Sequence, residues 1–406
     1  MTTLKIKRLG HLGDGIADGP VYVPGALPGE VVSGTLDGEQ LRDPKIDTPS
    51  EYRVKPPCAH ARSCGGCQLQ HASDAFVSDW KRDVVRQALA AHGIAIDLPD
   101  PVTSPPRSRR RATFSVRRTK KGALAGFHMK GSDTIISVPT CQLVHPDLTA
   151  ALPMVEALGV LGASRKGEVS VSLTRTDTGL DVAVTGGKEM DVALHQALAD
   201  LAREHDLARV AWDGEIALQR RAPVLRLGPA DLTPPPGAFL QATREGETAL
   251  VEAVMQALTG SKRVVDLFAG CGTFALPLAR DAAVHAVEGD RDMLGALDHG
   301  WRNAAGLKRV THEARDLFRN PLVPDELGKY DGVVIDPPRA GAAAQIAELT
   351  QARVPRIAHV SCNPASFARD TATLIRAGYD LEWVQVVDQF RWSTHVELVA
   401  LLRRGK

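Results

Sequence analysis

The sequence predicts a multidomain α/β protein with a small N-terminal β-barrel, a central α+β domain and a C-terminal parallel α/β domain. Residues 1–55 alternate apolar and polar positions between Gly and Pro, as short strands joined by tight turns do. Strand and helix candidates from 105 to 228 follow no strict βαβ alternation, whereas strands and helices alternate regularly near the C-terminus. The Pro-rich segment 233–239 favours an extended chain between these two regions. The predicted domains are therefore 1–55, 56–238 and 239–406.

Length and composition exclude several classes of protein. With 406 residues, of which 44% are hydrophobic and 24% charged, the chain is long enough for two or three domains and is unlike a disordered chain. No apolar run reaches the roughly 18 residues that span a bilayer, and the polar start MTTLKIKRLG lacks the core of a signal peptide. We therefore expect a cytoplasmic protein with no membrane partner. We also expect a monomer.

Basic residues are concentrated in one strip, although the whole chain has 49 Lys and Arg against 48 Asp and Glu. The strip contains eight basic side chains and no acidic one: Arg107, Arg109, Arg110, Arg111, Arg117, Arg118, Lys120 and Lys121. Such a strip can neutralise phosphates and release their counterions, which indicates a nucleic-acid partner. A solvated strand face is the alternative interpretation, and the strip alone does not decide between the two.

Four of the six cysteines are candidate ligands of a metal centre. Cys58, Cys64 and Cys67 follow the spacing C-x5-C-x2-C, and Cys141 lies in an isolated PTCQL segment. Disulfides are not expected in a reducing cytosol. Zinc and an iron–sulfur cluster each accept four thiolates, and the spacing is not a standard zinc-ribbon pair, so both stay open. Unrelated buried cysteines are the remaining alternative, although three within ten residues are improbable by chance.

Helices are predicted where apolar residues recur at helical spacing. The first covers 75–92 and ends before Gly93, and it is a candidate to pack on the C-terminal domain. Others are predicted at 191–205, 244–258 and 291–305.

The turn after the first C-terminal strand, DLFAGCGTF, is a candidate cofactor site, because ligands bind beyond the carboxyl ends of parallel strands. Gly270 and Gly272 allow a cofactor to approach the backbone, and the spacing is typical of class I S-adenosylmethionine (SAM) folds rather than G-x-G-x-x-G. A purely structural turn is the alternative. Glu288 follows the second strand, where an acid can accept both ribose hydroxyls, so NAD is a rival cofactor. Asp316 could contact an adenine amine or simply cap a turn.

Three further residues in the C-terminal domain indicate catalysis. Asp336 precedes two prolines, which make its loop rigid. Cys362 lies at a strand-to-helix junction, where helix-terminal N–H groups favour a thiolate, and is a candidate nucleophile rather than a small buried hydrophobe. Glu397 lies inside the apolar strand VELVALL, where a lone acid is costly unless it is paired or functional, and is a candidate general base.

Taken together, these motifs resemble one family, the SAM-dependent RNA 5-methyluridine methyltransferases. The resemblance is to the branch that has an OB-like TRAM β-barrel and a 4Fe–4S cluster and modifies 23S ribosomal RNA. It covers nearly the whole chain and rests on GDGIADGPVYVPGALPGE, C-x5-CGGC with the later cysteine, GAFLQAT, DLFAGCGTFALPLA, DPPRAG, SCNP and HVE.

The resemblance implies roles for individual residues. Cys362 would be the nucleophile, Glu397 the base, and Asp336 would lie between cofactor and target base. The cluster would be held by Cys58, Cys64, Cys67 and Cys141, and the cofactor by Gln241, Phe268, Gly270, Gly272, Thr273, Glu288 and Asp316. The sequence departs from the family pattern at Thr243 and Thr273, where Asn is usual or frequent, and in QFRWSTHVE.

The implied partners are SAM, the cluster and an RNA, with ribosomal RNA preferred and transfer RNA as the alternative. A non-catalytic RNA-binding protein would leave Cys362 and Glu397 without a role. A nicotinamide oxidoreductase would leave SCNP and HVE unexplained, and a radical-SAM enzyme needs three cysteines around an open iron rather than four ligands.

Overall fold

The computed structural model describes residues 1–164 and 167–405. The first six strands form one sheet in the order β1-β5-β6-β4-β3-β2, in which only the β4–β6 pair is parallel. Their bounds are β1 (Thr2–Lys5), β2 (Arg8–Leu9), β3 (Gly15–Ala17), β4 (Val21–Val23), β5 (Val31–Asp37) and β6 (Gln40–Thr48). Ile6, Val23, Val32 and Leu41 form its core. The short strands predicted in this region are confirmed, and closure into a barrel stays a prediction.

Helix α1 (Asp74–Ala90) confirms the first predicted helix and begins and ends within two residues of the predicted bounds. The Ser73 side chain caps its first turn by accepting a backbone hydrogen bond. Val85 and Leu89 on its apolar face are fully buried in the core of the C-terminal sheet. The next strand, β7 (Val102–Thr103), lies at the edge of that same sheet. Residues 74–103 therefore pack with the C-terminal domain.

The middle of the chain forms a seven-stranded sheet in the order β10-β9-β8-β11-β12-β13-β14, with one parallel pair, β12–β13. Its strands are β8 (Arg111–Thr119), β9 (Gly122–His128), β10 (Ile135–Ile136), β11 (Glu168–Thr176), β12 (Gly179–Thr185), β13 (Arg209–Trp212) and β14 (Glu215–Gln219). Its helices are α2 (Pro146–Ala150), α3 (Leu152–Gly162) and α4 (Val192–Glu204). The predicted α+β arrangement and the helix at 191–205 are confirmed.

A two-stranded hairpin, β15 (Leu225–Leu227) and β16 (Ala230–Leu232), precedes the Pro-rich segment. Leu227 and Leu232 pack against Cys271 and Leu276 of the C-terminal domain. The hairpin lies within the range predicted for the central domain, yet its apolar side chains are buried against the C-terminal one. Local composition is enough to recognise the Pro-rich segment, but it does not reveal the long-range packing of this hairpin on the C-terminal domain.

The C-terminal sheet has the strand order β19-β18-β17-β20-β21-β23-β22-β7. Its strands are β17 (Arg263–Leu267), β18 (Ala283–Glu288), β19 (Val310–Ala314), β20 (Gly332–Ile335), β21 (Arg356–Ser361), β22 (Tyr379–Asp388) and β23 (Glu397–Arg404). The five strands from β19 to β21 are parallel, and β23 is antiparallel to both of its neighbours. The strand order reverses at β17 and β20, and ligands bind at the carboxyl ends around such a point.

Helices cover both faces of this sheet: α5 (Arg244–Ala257), α6 (Ala275–Leu278), α7 (Arg291–Asn303), α8 (Pro324–Leu327), α9 (Ala343–Ala352) and α10 (Pro364–Arg376). Neighbouring residues of β17 face opposite cores, because side chains alternate along a strand. Val265 packs in the core that includes α9 and α10, and Val264 packs in the core that includes α5 and α6. No helix of the described ranges is long and apolar enough to cross a membrane.

The structure divides the basic strip, because Arg109, Arg110 and Arg111 are buried or half-buried while its other five basic side chains are exposed. That the strip contacts a nucleic acid stays a prediction. Arg110 is buried, where it makes an ion pair with Glu247 of α5. The Arg111 guanidinium donates to the carbonyl of Leu240. Arg117 is exposed and pairs with Glu168. The remaining exposed basic residues of the strip are Arg107, Arg118, Lys120 and Lys121.

Candidate active site

A tight turn after β17 forms the floor of the candidate site. Phe268, Gly270 and Gly272 have positive φ angles of 64°, 55° and 91°. A Cβ at Gly272 would lie 2.9 Å from Leu297 Cδ1, so a side chain there would clash with α7. A Cβ at Gly270 would meet no atom within 4 Å, so this part of the backbone faces open space. The turn therefore leaves room for a ligand at Gly270.

Glu288 lies at the end of β18 and is held against this turn. Its Oε2 accepts a hydrogen bond from Gly270 N at 2.9 Å, and its Oε1 accepts from Gly289 N and Asp290 N at 2.7 and 3.0 Å. Thr273 is half-buried in the same turn. The structure therefore brings together the glycines, Thr273 and the acidic residue, as the sequence predicts.

Asp316 is exposed beyond β19 and acts as a local cap. Its Oδ1 accepts hydrogen bonds from Phe318 N and Arg319 N at 3.0 and 3.4 Å. This arrangement is the capping alternative considered for Asp316. The Phe318 ring packs against Phe268, with ring centroids 5.3 Å apart, so the turn adds an aromatic side chain beside the site.

Sequence reasoning missed Asp266, the last polar residue inside β17. It is fully buried, and neither carboxyl oxygen makes a hydrogen bond with another described residue. Burial and the nearby Asp336 and Glu288 raise its pKa well above the usual value. A lone acid in the apolar run RVVDLFA is the signal that could have found it, by the same reasoning that identified Glu397.

Cys362 lies directly after β21 and before α10. Asn363 caps α10, since its Oδ1 accepts from Ala365 N at 3.0 Å, while its Nδ2 donates to Arg339 O at 2.9 Å. Burial, followed by the Glu397 and Asp336 carboxyls, raises the pKa of the Cys362 thiol to about 11, and the Arg339 guanidinium lowers it. Burial and the two carboxyls therefore outweigh the effect of the helix terminus, which by itself favours a thiolate.

Glu397 begins β23 and lies across from Cys362. The antiparallel pairing of Ser361 with Leu398 places the residue after β21 beside the residue at the start of β23. Glu397 is buried, and burial together with Asp336 raises the pKa of its carboxyl to about 8. Burial also raises the pKa of Asp336, at the end of β20, to about 7. The Cys362 thiol and the carboxyls of Glu397 and Asp336 therefore lie close together where β20 and β21 end and β23 begins.

Gln241 is buried on the segment before α5 and contacts a residue that sequence reasoning missed, Gln389. The Gln389 amide donates to Gln241 Oε1 at 2.5 Å and to Glu397 Oε1 at 3.3 Å. The nearby Thr243 caps α5, and its hydroxyl lies 2.7 Å from Ser104 Oγ. At this departure from the family pattern, Thr243 therefore has a structural role as a helix cap.

The four grouped cysteines are brought together from distant parts of the central region. Cys58 and Cys67 are buried, and Cys64 and Cys141 are half-buried. Burial, followed by the charges of the other three cysteines, raises the pKa of Cys67 to about 12, so the four thiols are neighbours. Gly66 N and Leu143 N each donate to a cysteine sulfur at 3.4 Å. No group of three or more His, Cys, Asp or Glu among the described residues is arranged to hold a single metal ion.

Comparison with known proteins gives the family. The family model described as tRNA (uracil-5-)-methyltransferase matches residues 303–405. The chain is 43% identical to an RNA methyltransferase of Brucella suis biovar 1 (strain 1330), an alignment covering 99% of this chain and 98% of the relative. It is 31% identical to the 23S rRNA (uracil(1939)-C(5))-methyltransferase RlmD of Shewanella piezotolerans, over 100% of this chain and 96% of that one. The chain belongs to the RNA uracil-5-methyltransferase family.

A solved structure shows the same fold over nearly the whole length of this RNA uracil-5-methyltransferase. The tRNA (uracil-54, C5)-methyltransferase of Pyrococcus abyssi, in complex with S-adenosyl-L-homocysteine, superimposes with a TM-score of 0.77. The alignment has 22% identity and covers 98% of this chain and 99% of the archaeal one. The multidomain α/β architecture with a SAM methyltransferase domain is therefore confirmed.

The site fits the SAM that this methyltransferase family uses. Gly270 leaves open space beside the backbone, and Glu288 presents an oriented carboxylate at the same turn. Asp266 adds a buried carboxyl without a hydrogen-bond partner among the described residues, which a cationic amino group would satisfy. Polar groups around an open backbone turn are what a nucleoside-bearing cation requires.

Proposed function

We propose that this chain methylates C5 of a uridine in 23S ribosomal RNA, through a covalent intermediate on Cys362. The pairing of β21 with β23, which brings Cys362 beside Glu397 in the sheet that also carries the glycine turn after β17, carries the proposal. A nucleophile and a base side by side are the groups that C5 methylation of uracil requires. The 31% identity to RlmD supports 23S ribosomal RNA as the substrate.

The first step is addition of the Cys362 thiolate to C6 of the uracil. C5 alone is too weak a nucleophile to attack a methyl group, but formation of the C6–S bond moves an electron pair into an enolate with carbanion character at C5. The thiol must first lose its proton to solvent, and its pKa of about 11 makes this loss costly near neutral pH. The Arg339 guanidinium, which lowers that pKa, assists the loss.

SAM would supply an electrophilic methyl group, to which C5 forms its new bond as the methyl–sulfur bond breaks and a neutral thioether, S-adenosyl-L-homocysteine, is left. The residues that would hold it are Phe268, Gly270, Gly272, Thr273 and Glu288, with Asp266 beside them and Asp336 towards the uracil. The contacts that the resemblance implies for Gln241 and Asp316 stay predictions.

Glu397 completes the reaction by taking the proton from C5. The electrons of the broken C–H bond restore the C5–C6 double bond, the C6–S bond breaks, and Cys362 leaves as a thiolate. The base must be anionic to accept the proton, and its pKa of about 8 is close to the working range of a general base near neutral pH. The target uridine must leave its stack to reach these residues.

The substrate is tested by incubating the purified protein with SAM carrying a labelled methyl group and either 23S ribosomal RNA or total tRNA. We expect 5-methyluridine at a single site in the ribosomal RNA, and its absence from cells that lack the protein. Label only in tRNA would contradict the ribosomal assignment and support the alternative substrate. Binding of both RNAs without label would support a non-catalytic RNA-binding protein.

We further propose that Cys58, Cys64, Cys67 and Cys141 hold a 4Fe–4S cluster. Four neighbouring thiols, with backbone N–H groups directed at two of the sulfurs, suit iron–sulfur ligation. Trp392, on the connection between β22 and β23, packs against Cys67. Its carbonyl also accepts hydrogen bonds from the backbone N–H groups of Gln68 and Leu69, both at 2.9 Å. The cluster would therefore support the connection that leads to Glu397.

Replacing Cys58 with Ser is expected to remove the cluster. Protein purified without oxygen should be brown and contain about four irons per chain. The Cys58→Ser variant should lose iron and colour, whereas Cys271→Ser, a cysteine remote in sequence from the four, should retain both. Metal analysis with visible absorbance checks this, and stoichiometric zinc without iron would contradict it.

The remaining assignments follow from the same resemblance. Residues 1–55 would form the OB-like TRAM barrel, 56–238 the cluster domain and 239–406 the catalytic domain. Within 56–238, residues 74–103 and the hairpin of β15 and β16 pack on the catalytic domain. The cytoplasmic location and the monomeric state stay predictions.

A further inference from the structure

The side-chain amide of Gln389 is fixed in one orientation next to the proposed base. Gln389 is the first residue after β22 and is 1% exposed. Its Oε1 accepts a hydrogen bond from Ala242 N at 2.7 Å, which identifies the oxygen end of the amide. Its Nε2 then has two hydrogens, one directed at Gln241 Oε1 at 2.5 Å and the other at Glu397 Oε1 at 3.3 Å.

Packing keeps this amide in place. A Cβ on Gly246 would lie 2.5 Å from Gln389 Cβ, so the absence of a side chain in the first turn of α5 makes room for Gln389. The pairing of Val387 with Glu397 joins the strands that carry the two side chains. Gln241 and Glu397 are each 4% exposed, so water does not compete for these hydrogen bonds.

We infer that Gln389 is a positioning residue for C5 deprotonation, with Gln241 and the Ala242 N–H orienting its amide towards the Glu397 carboxylate. This inference rests on the proposed role of Glu397 as the base. An N–H donor stabilises the charged carboxylate more than the neutral acid, so Gln389 lowers the pKa of Glu397 and favours the form that accepts a proton. The hydrogen bond also fixes which oxygen remains available to the substrate.

Other groups around Glu397 also shift the pKa of its carboxyl. Asp336, after β20, raises the pKa of Glu397, and Arg339, in the same loop, lowers it. The Glu397 carboxylate in turn raises the pKa of the Cys362 thiol, which follows β21. Burial remains the largest cause and raises the pKa. Gln389 differs from these groups because it is neutral at every pH, so it biases the base without adding a titration of its own.

Replacement of Gln389 by Met tests this inference, because Met has nearly the same shape and cannot donate a hydrogen bond. With 23S ribosomal RNA and SAM in a single turnover, decay of the covalent protein–RNA adduct should slow by roughly five- to tenfold near neutral pH, the effect of about one hydrogen bond. The midpoint of its pH dependence should rise by about 0.5 to 1 unit. Formation of the adduct, which depends on Cys362, should keep its rate.

Gln385→Met is the matched control, since Gln385 lies on β22, four residues before Gln389, and its amide donates to the carbonyls of Asp100 and Val386 instead. Its adduct should decay as in the unmodified protein. The double variant Gln389→Met with Glu397→Gln should decay no more slowly than Glu397→Gln alone, because Gln389 acts through Glu397.

Three outcomes would overturn the inference: an unchanged pH midpoint for Gln389→Met, equal slowing of adduct formation and decay, or additive effects in the double variant. If the Glu397→Gln adduct accumulates, any of these results would refute the role of Gln389 and leave the role of Glu397 intact. Normal turnover by Glu397→Gln would instead refute the proposed function of the base, and the role of Gln389 with it.

Discussion

Methyl transfer to uridine is expected to fall by roughly 10³-fold or more when Cys362 is replaced by Ala, while SAM binding survives. Without the sulfur there is no C6 adduct, and C5 keeps the electron-poor character of free uracil. The cofactor turn after β17 is held by Glu288 of β18, which accepts from the backbone N–H groups of Gly270 and Gly289, whereas Cys362 follows β21. Binding and chemistry should therefore separate in this variant.

The measurement combines a methyl-transfer assay with titration calorimetry of SAM and a denaturing gel for protein–RNA adducts. Cys362→Ser provides a second variant of nearly the same size, and its hydroxyl is a far weaker nucleophile at neutral pH. We expect neither variant to form an adduct and both to bind SAM as the unmodified protein does. A shifted band or full turnover in Cys362→Ala would show that another residue is the nucleophile.

The sequence predicted the residues at the cofactor turn because of a simple topological rule. Parallel strands end at the same edge of a sheet, so Gly270 after β17 and Glu288 at the end of β18 had to meet. Cys362 after β21 belongs to the same edge for the same reason. Glu397 was recognisable for another cause, since an acid in an apolar strand needs a partner or a role.

Contacts between distant segments could not be predicted in this way. Gln389 and Gln241 are 148 residues apart, and their hydrogen bond depends on how α5 packs against the end of β22. The buried pair of Arg110 with Glu247 arises similarly, so a strip that looks solvated in the sequence contains a buried ion pair. Local patterns indicate which residues are unusual, and tertiary packing decides which of them meet.

The Cys362 pKa shows why local rules also fail inside a site. The start of α10 favours an anion nearby, and this effect alone would lower the pKa of the thiol. In the structure burial and two neighbouring carboxyls outweigh it. The sequence shows the helix terminus directly, whereas burial and the nearness of Glu397 follow only from the pairing of β21 with β23.

Replacement of Glu397 by Gln should have the opposite effect on a denaturing gel. Cys362 can still add to C6 and C5 can still be methylated, but the C5 proton has no acceptor, so protein covalently joined to methylated RNA should accumulate. Turnover should fall by about 10²- to 10⁴-fold, the usual contribution of a general base. Labelled methyl groups should comigrate with the shifted band, and a labelled RNA released at the normal rate would contradict the role of Glu397.

The pH dependence of stability gives an independent check on how Glu397 ionises in the folded protein. The pKa of Glu397 is raised from 4.5 to about 8 in the folded protein, so the unfolded chain releases this proton at lower pH than the folded protein does. The unmodified protein therefore loses stability from this group as the pH rises from about 4.5 to 8, and Gln, which does not titrate, avoids that loss. The melting temperature of Glu397→Gln should rise relative to the unmodified protein across this interval and stay level above it. A constant difference would show that Glu397 ionises normally in the folded state, and its neighbours would then hold a charged carboxylate before any RNA binds.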